Sequence, residues 1–304
     1  MAERDFRWEG ATQRATYDYI VTPLRDRDRI REILRARMDY ATYAIGQLEP
    51  GLFDRTRWYW ARGDTGTGLV LHSRGGLGEA TFVMGDADAV AAILSIHPGP
   101  THTYATCQPQ HTQSLEQVYK LANQQPMIRM GVTPDAFKAA PGARVVALTG
   151  YDIRRINSLY STEGGPSYYV PEHIDAGVYR GIVTNGRLVA VAGTHVVSRT
   201  EGVAVVGNVF THPEYRSRGY ATAVTSAVTA ALLGYCDYVV LTVDPKNSPA
   251  IRAYEKLGYA ESCHLVEATA TRRDPSGLGG TMRRMRAAIR GRKYDGSFVS
   301  VRAS

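Results

Sequence analysis

The chain has 304 residues, 44% of them hydrophobic and 21% charged, the balance of a soluble globular protein with room for two domains of ordinary size. Its net charge of +7 is uneven: residues 271–304 hold nine basic and two acidic side chains, so that segment carries the whole surplus. This argues against a nucleic-acid-binding core; no apolar run approaches the ~20 residues of a membrane span, and the opening Met-Ala-Glu-Arg-Asp-Phe lacks the apolar stretch of a signal peptide.

Helical spacing of Ile30, Ile33, Leu34, Met38, Ala41, Ile45 and Leu48 predicts a helical stretch over 25–48, ended by Pro50-Gly51. Trp58 to Trp60, Gly68 to His72 and Ala80 to Met84 read as three strands. Asp86 is placed to cap a short helix through Leu94. Tyr104 falls in a further strand, Ser114 to Ala122 in a helix, and Met127 to Met130 in a strand. Residues 131–142, with Pro134, Pro141 and Gly142, make the best boundary. Beyond it come a strand at Arg144 to Leu148, a helix at Asp152 to Tyr160 and a loop at 162–169. Tyr179 to Thr184 is a strand closed by the turn Asn185-Gly186. Leu188 to Val197 and Val203 to Thr211 are strands and Gly219 to Leu233 a helix. Tyr238 to Val243 is a strand, Pro249 to Leu257 a helix and Ser262 to Thr269 a strand. In the basic tail, Met282, Met285 and Ile289 form an apolar stripe between arginines, and Phe298, Val299 and Val301 alternate as an edge strand would.

The expected fold class is α/β with a mixed sheet. The expected organisation is an N-terminal α/β domain over 1–130, a linker over 131–142, a second domain over 143–270 and a basic tail over 271–304. The halves share a broad element order, which suggests a duplication, though no residue-level repeat is visible. Cys107, Cys236 and Cys263 have no metal-site spacing and read as thiols in a reducing cytoplasm, so a cytoplasmic location and no metal are expected.

Two motifs carry chemistry. Arg216-x-x-Gly219-x-Ala221 follows an apolar strand and opens a helix, an arrangement that leaves backbone N–H groups free at a positive helix end, fit for a diphosphate. The equivalent place in the first half reads Gly85-Asp-Ala-Asp88, whose two carboxylates would repel one. The second motif, Asn247-x-x-Ala250-x-x-x-Tyr254-Glu-Lys-Leu-Gly-Tyr259, is a turn and short helix with Pro249 in the first turn and Gly258 at the stop.

Taken together, the two motifs resemble the GNAT superfamily of acyl-coenzyme A-dependent N-acetyltransferases. The resemblance covers roughly 143–270 and is strongest over 203–260. The phrase Gly207-Asn-Val-Phe-Thr-His-Pro213 and the two-part chain are also similar to bacterial relatives of the glycine N-acyltransferase branch, and the first half then reads as a degenerate GNAT-like repeat.

The resemblance implies that the backbone of Arg216, Ser217, Arg218, Gly219, Tyr220 and Ala221 holds the coenzyme A pyrophosphate. It implies that Val209, Phe210 and Thr211 run beside the pantetheine, with an N–H near Val209 steadying the oxyanion. Asn247 and Ala250 would contact the pantetheine arm or order the turn. Tyr254 would protonate the leaving thiolate. For the base that takes the proton from the amine, the candidates are His195, Glu201, Asn208 through an ordered water, and His212, with His195 favoured because imidazole titrates in the useful range. Tyr168, Tyr169 and Asn208 are candidates for the acceptor pocket. The expected reaction is transfer of an acetyl or short acyl group from acetyl-CoA to a small primary amine or amino acid in a ternary complex. Neither a membrane nor a nucleic-acid partner is expected, and a homodimer is left open. The competing reading is an acyl-CoA sensor that docks a partner or RNA through the tail.

Overall fold

The computed structural model describes residues 16–75, 78–141, 144–164, 169–274 and 277–302. The chain runs β1 (Thr16–Leu24), α1 (Arg27–Arg35), α2 (Met38–Gly46), α3 (Pro50–Phe53), β2 (Thr56–Gly63), β3 (Gly66–Gly75), β4 (Gly78–Gly85), α4 (Ala87–Ile96), β5 (His102–Cys107), α5 (Thr112–Glu116) and β6 (Tyr119–Val132). The second half repeats that order with β7 (Val145–Leu148), α6 (Ile153–Tyr160), α7 (Pro171–Asp175), β8 (Tyr179–Thr184), β9 (Arg187–Ser198), β10 (Val203–Thr211), α8 (Tyr220–Leu233), β11 (Tyr238–Val243), α9 (Ser248–Lys256) and β12 (Ala260–Arg272). A last pair, α10 (Leu278–Arg290) and β13 (Ser297–Arg302), closes the described chain.

These thirteen strands form one mixed sheet in the order β13-β1-β2-β3-β4-β5-β12-β6-β11-β10-β9-β8-β7. Each half therefore gives its last strand to the other. β6 runs antiparallel to β11, with Val132 opposite Val239 and Ile128 opposite Val243. In return β12 runs antiparallel to β5, with Val266 opposite Cys107 and Thr271 opposite His102. The exchanged strands also pair with each other at the centre.

Local chemistry explains the elements around the site. Asp26 caps α1 by accepting from the N–H groups of Asp28 and Arg29 at 3.0 and 3.1 Å. Asn185 and Gly186 both take positive φ, 51° and 76°, the geometry of a two-residue hairpin turn. β10 and β11 are apolar runs because both faces are covered. On one face Val206 and Leu241 pack against Val224, Val228 and Leu232 of α8, each side chain worth about 1.5–3 kcal/mol on burial. On the other, Val205 and Val240 meet Tyr43 of α2. Helices α4, α8 and α9 lie on the first face, and α1, α2 and α6 on the second.

Some elements depart from the sequence reading. The stretch 25–48 is two helices, broken at Ala36–Arg37. The helix expected over 114–122 stops at Glu116, and residues from Tyr119 enter β6, where they pair with β12. Asp86 stands at the start of α4 but does not cap it; its Oδ2 accepts from the Thr67 N–H at 2.8 Å and ties β3 to the end of β4. The basic tail is folded on the first half. β13 pairs with β1. Arg283 and Arg284 donate to the carbonyls of Ser95 and Ile96 at the end of α4, at 2.7 and 3.0 Å, where cations and donors suit a helix C-terminus. Among the described residues no helix is long and apolar enough to cross a membrane, and no group of three His, Cys, Asp or Glu could hold a metal ion.

Polar clamps add to the strand exchange. Glu201, 1% exposed, ion-pairs with Arg31 at 2.8 Å and with Arg35 at 3.6 Å. Glu49 accepts from the Ser198 and Thr200 hydroxyls at 2.5 and 2.8 Å. Arg31→Ala should cost about 2 kcal/mol in urea unfolding, below the usual cost of breaking a buried pair because Arg31 is itself partly exposed. No change in the unfolding midpoint would show that Arg35 alone compensates the carboxylate.

Several histidines are held neutral by burial. His72 and His97 are each pushed down to about 4, and His111 is also lowered; desolvation is the main cause in all three. A folded-state pKa below the unfolded value of about 6.5 means that the unfolded chain binds more protons. Their stabilising effect is complete above about pH 6.5 and is lost as pH falls toward 4. The urea midpoint should therefore drop steadily between pH 7 and pH 5. A midpoint constant over that range would contradict the assignment.

Candidate active site

The sheet opens between β10 and β11. Their parallel pairing runs from Val203–Tyr238 to Val206–Leu241 and then stops. Gly207 to Thr211 diverge on one side, and Thr242 and Val243 stay paired to β6 on the other. A β-bulge lies on the diverging strand: Gly207 faces Gly193 and Phe210 faces Val191, so Asn208 and Val209 share the single partner position Ala192. The ladder is broken there, and the bulge bends the strand beside the gap.

Asn208 takes φ 55°, a left-handed conformation that asparagine tolerates better than most residues. Tyrosines surround it. Tyr160 donates to its carbonyl at 2.6 Å and Tyr169 to its Oδ1 at 2.8 Å, while its Nδ2 donates to the Tyr179 hydroxyl at 2.9 Å. Asn208 and Tyr169 are thus bonded to each other. Tyr168 lies outside the described residues. Tyr160 and Tyr179 were not singled out from the sequence; each reads there as an ordinary core aromatic.

After β10 the chain turns through His212–Gly219 into α8. Ser217 and Gly219 both have positive φ, 62° and 75°. No side chain caps α8, and its first described bond runs from the Ala223 N–H to the Gly219 carbonyl. The preceding N–H groups therefore point out of the helix end. A Cβ on Gly219 would meet nothing within 4 Å, so the space before the helix is open. Arg216 pairs with Glu163 and donates to the Thr211 carbonyl at 3.3 Å. Arg218 donates to the Glu214 carbonyl and stacks over Tyr215 with its guanidinium 5.0 Å from the ring centre. His212 is nearly buried, bonded to Arg187 at 2.8 Å.

On the α8 face, Asn247 accepts from the Ala250 N–H at 3.2 Å and caps α9. That cap orders the turn and fixes Tyr254 two turns on. Tyr254 is 7% exposed in the core shared with Val206 and Val243. Its hydroxyl makes no hydrogen bond among the described residues, and burial pushes it up to about 12.

On the opposite face stands His195. It is the extra residue of a second irregularity, between Val205 facing Val196 and Val206 facing Thr194. A Cβ on Gly207 would overlap the His195 imidazole, so the glycine makes room for the ring beside the gap. His195 is exposed to solvent with protein crowded around it. Burial, followed by the charge of Arg129, pushes it down to about 4. Glu201 is held in the clamp described above and is not beside the gap.

The first half has the same splay in a different state. β4 and β5 pair only as far as Phe82–Thr106. Helix α4 begins two residues after β4 with no intervening loop, and Asp86 and Asp88 stand at its start. A cavity of about 450 Å³ lies there, lined in part by Met84, Gly85 and Gln108.

Residues 151–259, which hold the diverging strands, the α8 entry and Tyr254, match the model of the acetyltransferase (GNAT) family. This segment is a GNAT acetyltransferase domain. Solved structures extend the likeness of fold beyond it. A GNAT-family protein from Novosphingobium aromaticivorans is 20% identical, with a TM-score of 0.54 over 78% of this chain and 98% of its own. A Drosophila protein is 14% identical, with a TM-score of 0.61 over 83% of this chain and 98% of its own. Both alignments reach past the GNAT segment into the first half. No curated protein matches the chain. The GNAT family uses acyl-coenzyme A, and the open N–H groups at the start of α8 suit its pyrophosphate.

Proposed function

We propose that the protein is an N-acyltransferase that moves an acetyl or short acyl group from acetyl-CoA to a small primary amine in a ternary complex. The supporting observation is that β10 leaves β11 beyond Val206–Leu241 with a bulge at Asn208–Val209, next to a helix end with no side-chain cap and with a tyrosine hydroxyl that makes no hydrogen bond among the described residues. In this reading residues 143–270 are the catalytic domain, completed by the exchanged strand β6, and 1–130 are a degenerate repeat whose acidic helix start excludes the cofactor.

The residues divide the work by face. Ser217 to Ala221 present N–H groups to the diphosphate. Val209 to Thr211 offer the pantetheine a main-chain edge, and the Val209 N–H polarises the thioester carbonyl. The amine nitrogen forms its bond to the carbonyl carbon, the carbon–sulfur bond breaks, and Tyr254 gives the thiolate a proton. The proton lost by the amine leaves through His195 or water on the opposite face.

Gly219→Val tests the donor site. Valine is strained at φ 75° by about 1–2 kcal/mol, and relief of that strain would turn the N–H groups away. Acetyl-CoA affinity by calorimetry should fall about tenfold, roughly 1.4 kcal/mol, while the melting point moves only a few degrees. Unchanged affinity would remove the α8 entry from the site. Release of coenzyme A across a panel of amines tests the reaction; tight acetyl-CoA binding without release would favour a sensor.

A further inference from the structure

Arg129 is the strongest unexplained group in the molecule. It belongs to the first half, yet strand exchange carries it into the second, where it faces Thr242 of β11. Thr242 is one residue beyond Leu241, the last residue of β11 paired with β10. Arg129 is therefore level with the gap. Ile128 and Met130 point into the core on the α8 face, so Arg129 points to the face that carries His195. Arg129 and the neutral imidazole of His195 share that face beside the gap, close enough for Arg129 to lower His195.

The arginine is 2% exposed, and its Nε and Nη1 have no hydrogen-bond partner among the described residues. Among the described residues no carboxylate lies within ion-pair distance of it. Glu267 is the carboxylate whose charge acts most on it, but its Oε2 accepts from the Tyr104 hydroxyl at 2.7 Å. A guanidinium buried without a partner costs several kcal/mol, a cost that a purely structural position has no reason to keep. Its planar fork matches a carboxylate in two parallel bonds.

We infer that Arg129 is the anion-recognition residue of the acceptor site and that the acceptor is an amine bearing a carboxylate, an amino acid in the broad sense. This rests on the acyltransferase reading. A carboxylate seated on Arg129 would offset its charge, the lesser of the two causes that lower His195.

Two measurements test it. In the wild-type protein, coenzyme A release should show kcat/KM about tenfold or more higher for glycine and phenylalanine than for their primary amides, methylamine and phenethylamine. The amides have the less basic amines, so amine basicity cannot produce a preference for acid over amide. Separately, N-acetylglycine and N-acetylphenylalanine should bind the coenzyme A complex about tenfold tighter than their amides by calorimetry. That difference should vanish in Arg129→Gln and partly return in Arg129→Lys. Equal binding of acid and amide by the wild-type protein overturns the inference, as does a preference that survives in Arg129→Gln, or no binding of either up to about 10 mM. If the Arg129-dependent preference appears but no amine releases coenzyme A, the carboxylate site stands and the acyltransferase reading falls. If amines turn over with no preference for acids, the reverse holds.

Discussion

Tyr254→Phe is expected to lower kcat by about a hundredfold and to leave the acetyl-CoA dissociation constant within about twofold. The estimate comes from the usual contribution of a positioned general acid. The departing thiolate has a conjugate acid near 8.5, and a phenol held up near 12 keeps its proton across the working pH range, ready to hydrogen-bond the sulfur. The substitution is clean because the hydroxyl has no partner to orphan. Stability should therefore change by less than about 1 kcal/mol. A fall in kcat and kcat/KM by the same factor would mark an interaction made only in the transition state. An unchanged kcat would return Tyr254 to the core as a packing residue.

Asn208→Leu is expected to be the most damaging single change in the second half. It places a branched side chain at φ 55°, which costs about 1–2 kcal/mol. It also removes the Asn208 bonds to the Tyr169 and Tyr179 hydroxyls, at about 0.5–1.5 kcal/mol each, Tyr179 keeping its bond to the Thr194 carbonyl at 3.4 Å. Roughly 2–5 kcal/mol in all should lower the melting point by about 5–15 °C. Turnover should fall further still, because a relaxed bulge no longer aims the Val209 N–H. Asn208→Gly separates the two effects: it keeps the left-handed backbone and loses only the side-chain bonds. A leucine variant that melts like the wild type would show that the tyrosine cage does not hold the bulge.

Much of the fold and part of the site could be read from sequence because their signals are local. Tyr238 to Val243 is a continuous apolar run, and its predicted bounds match those of β11. The Arg216-x-x-Gly219-x-Ala221 spacing places an uncapped helix start, and Asn247 places a cap, through rules that need no neighbours. What escaped was set by distant partners. The run Asn123-Gln-Gln125 looks too polar for a central strand, but β12 supplies its pairing, and Asn123 absorbs the irregularity with φ 51°. Arg129 is assigned by chain position to the first half, and only strand exchange carries it to the second. The roles of Tyr160 and Tyr179 depend on Asn208 lying tens of residues away, which periodicity cannot show.

The exchanged strands also set an order of events during synthesis. β5 is made early, but its partner β12 begins only at residue 260, well over a hundred residues later. At ~5–20 residues per second, the emerging first half spends on the order of ten seconds with an open, pairing-competent strand edge. The short β5, with polar His102, Thr103 and Thr106 among its six residues, makes a poor template for stray chains during that interval. Nor can the chain be cut between its halves without leaving each with the other's strand.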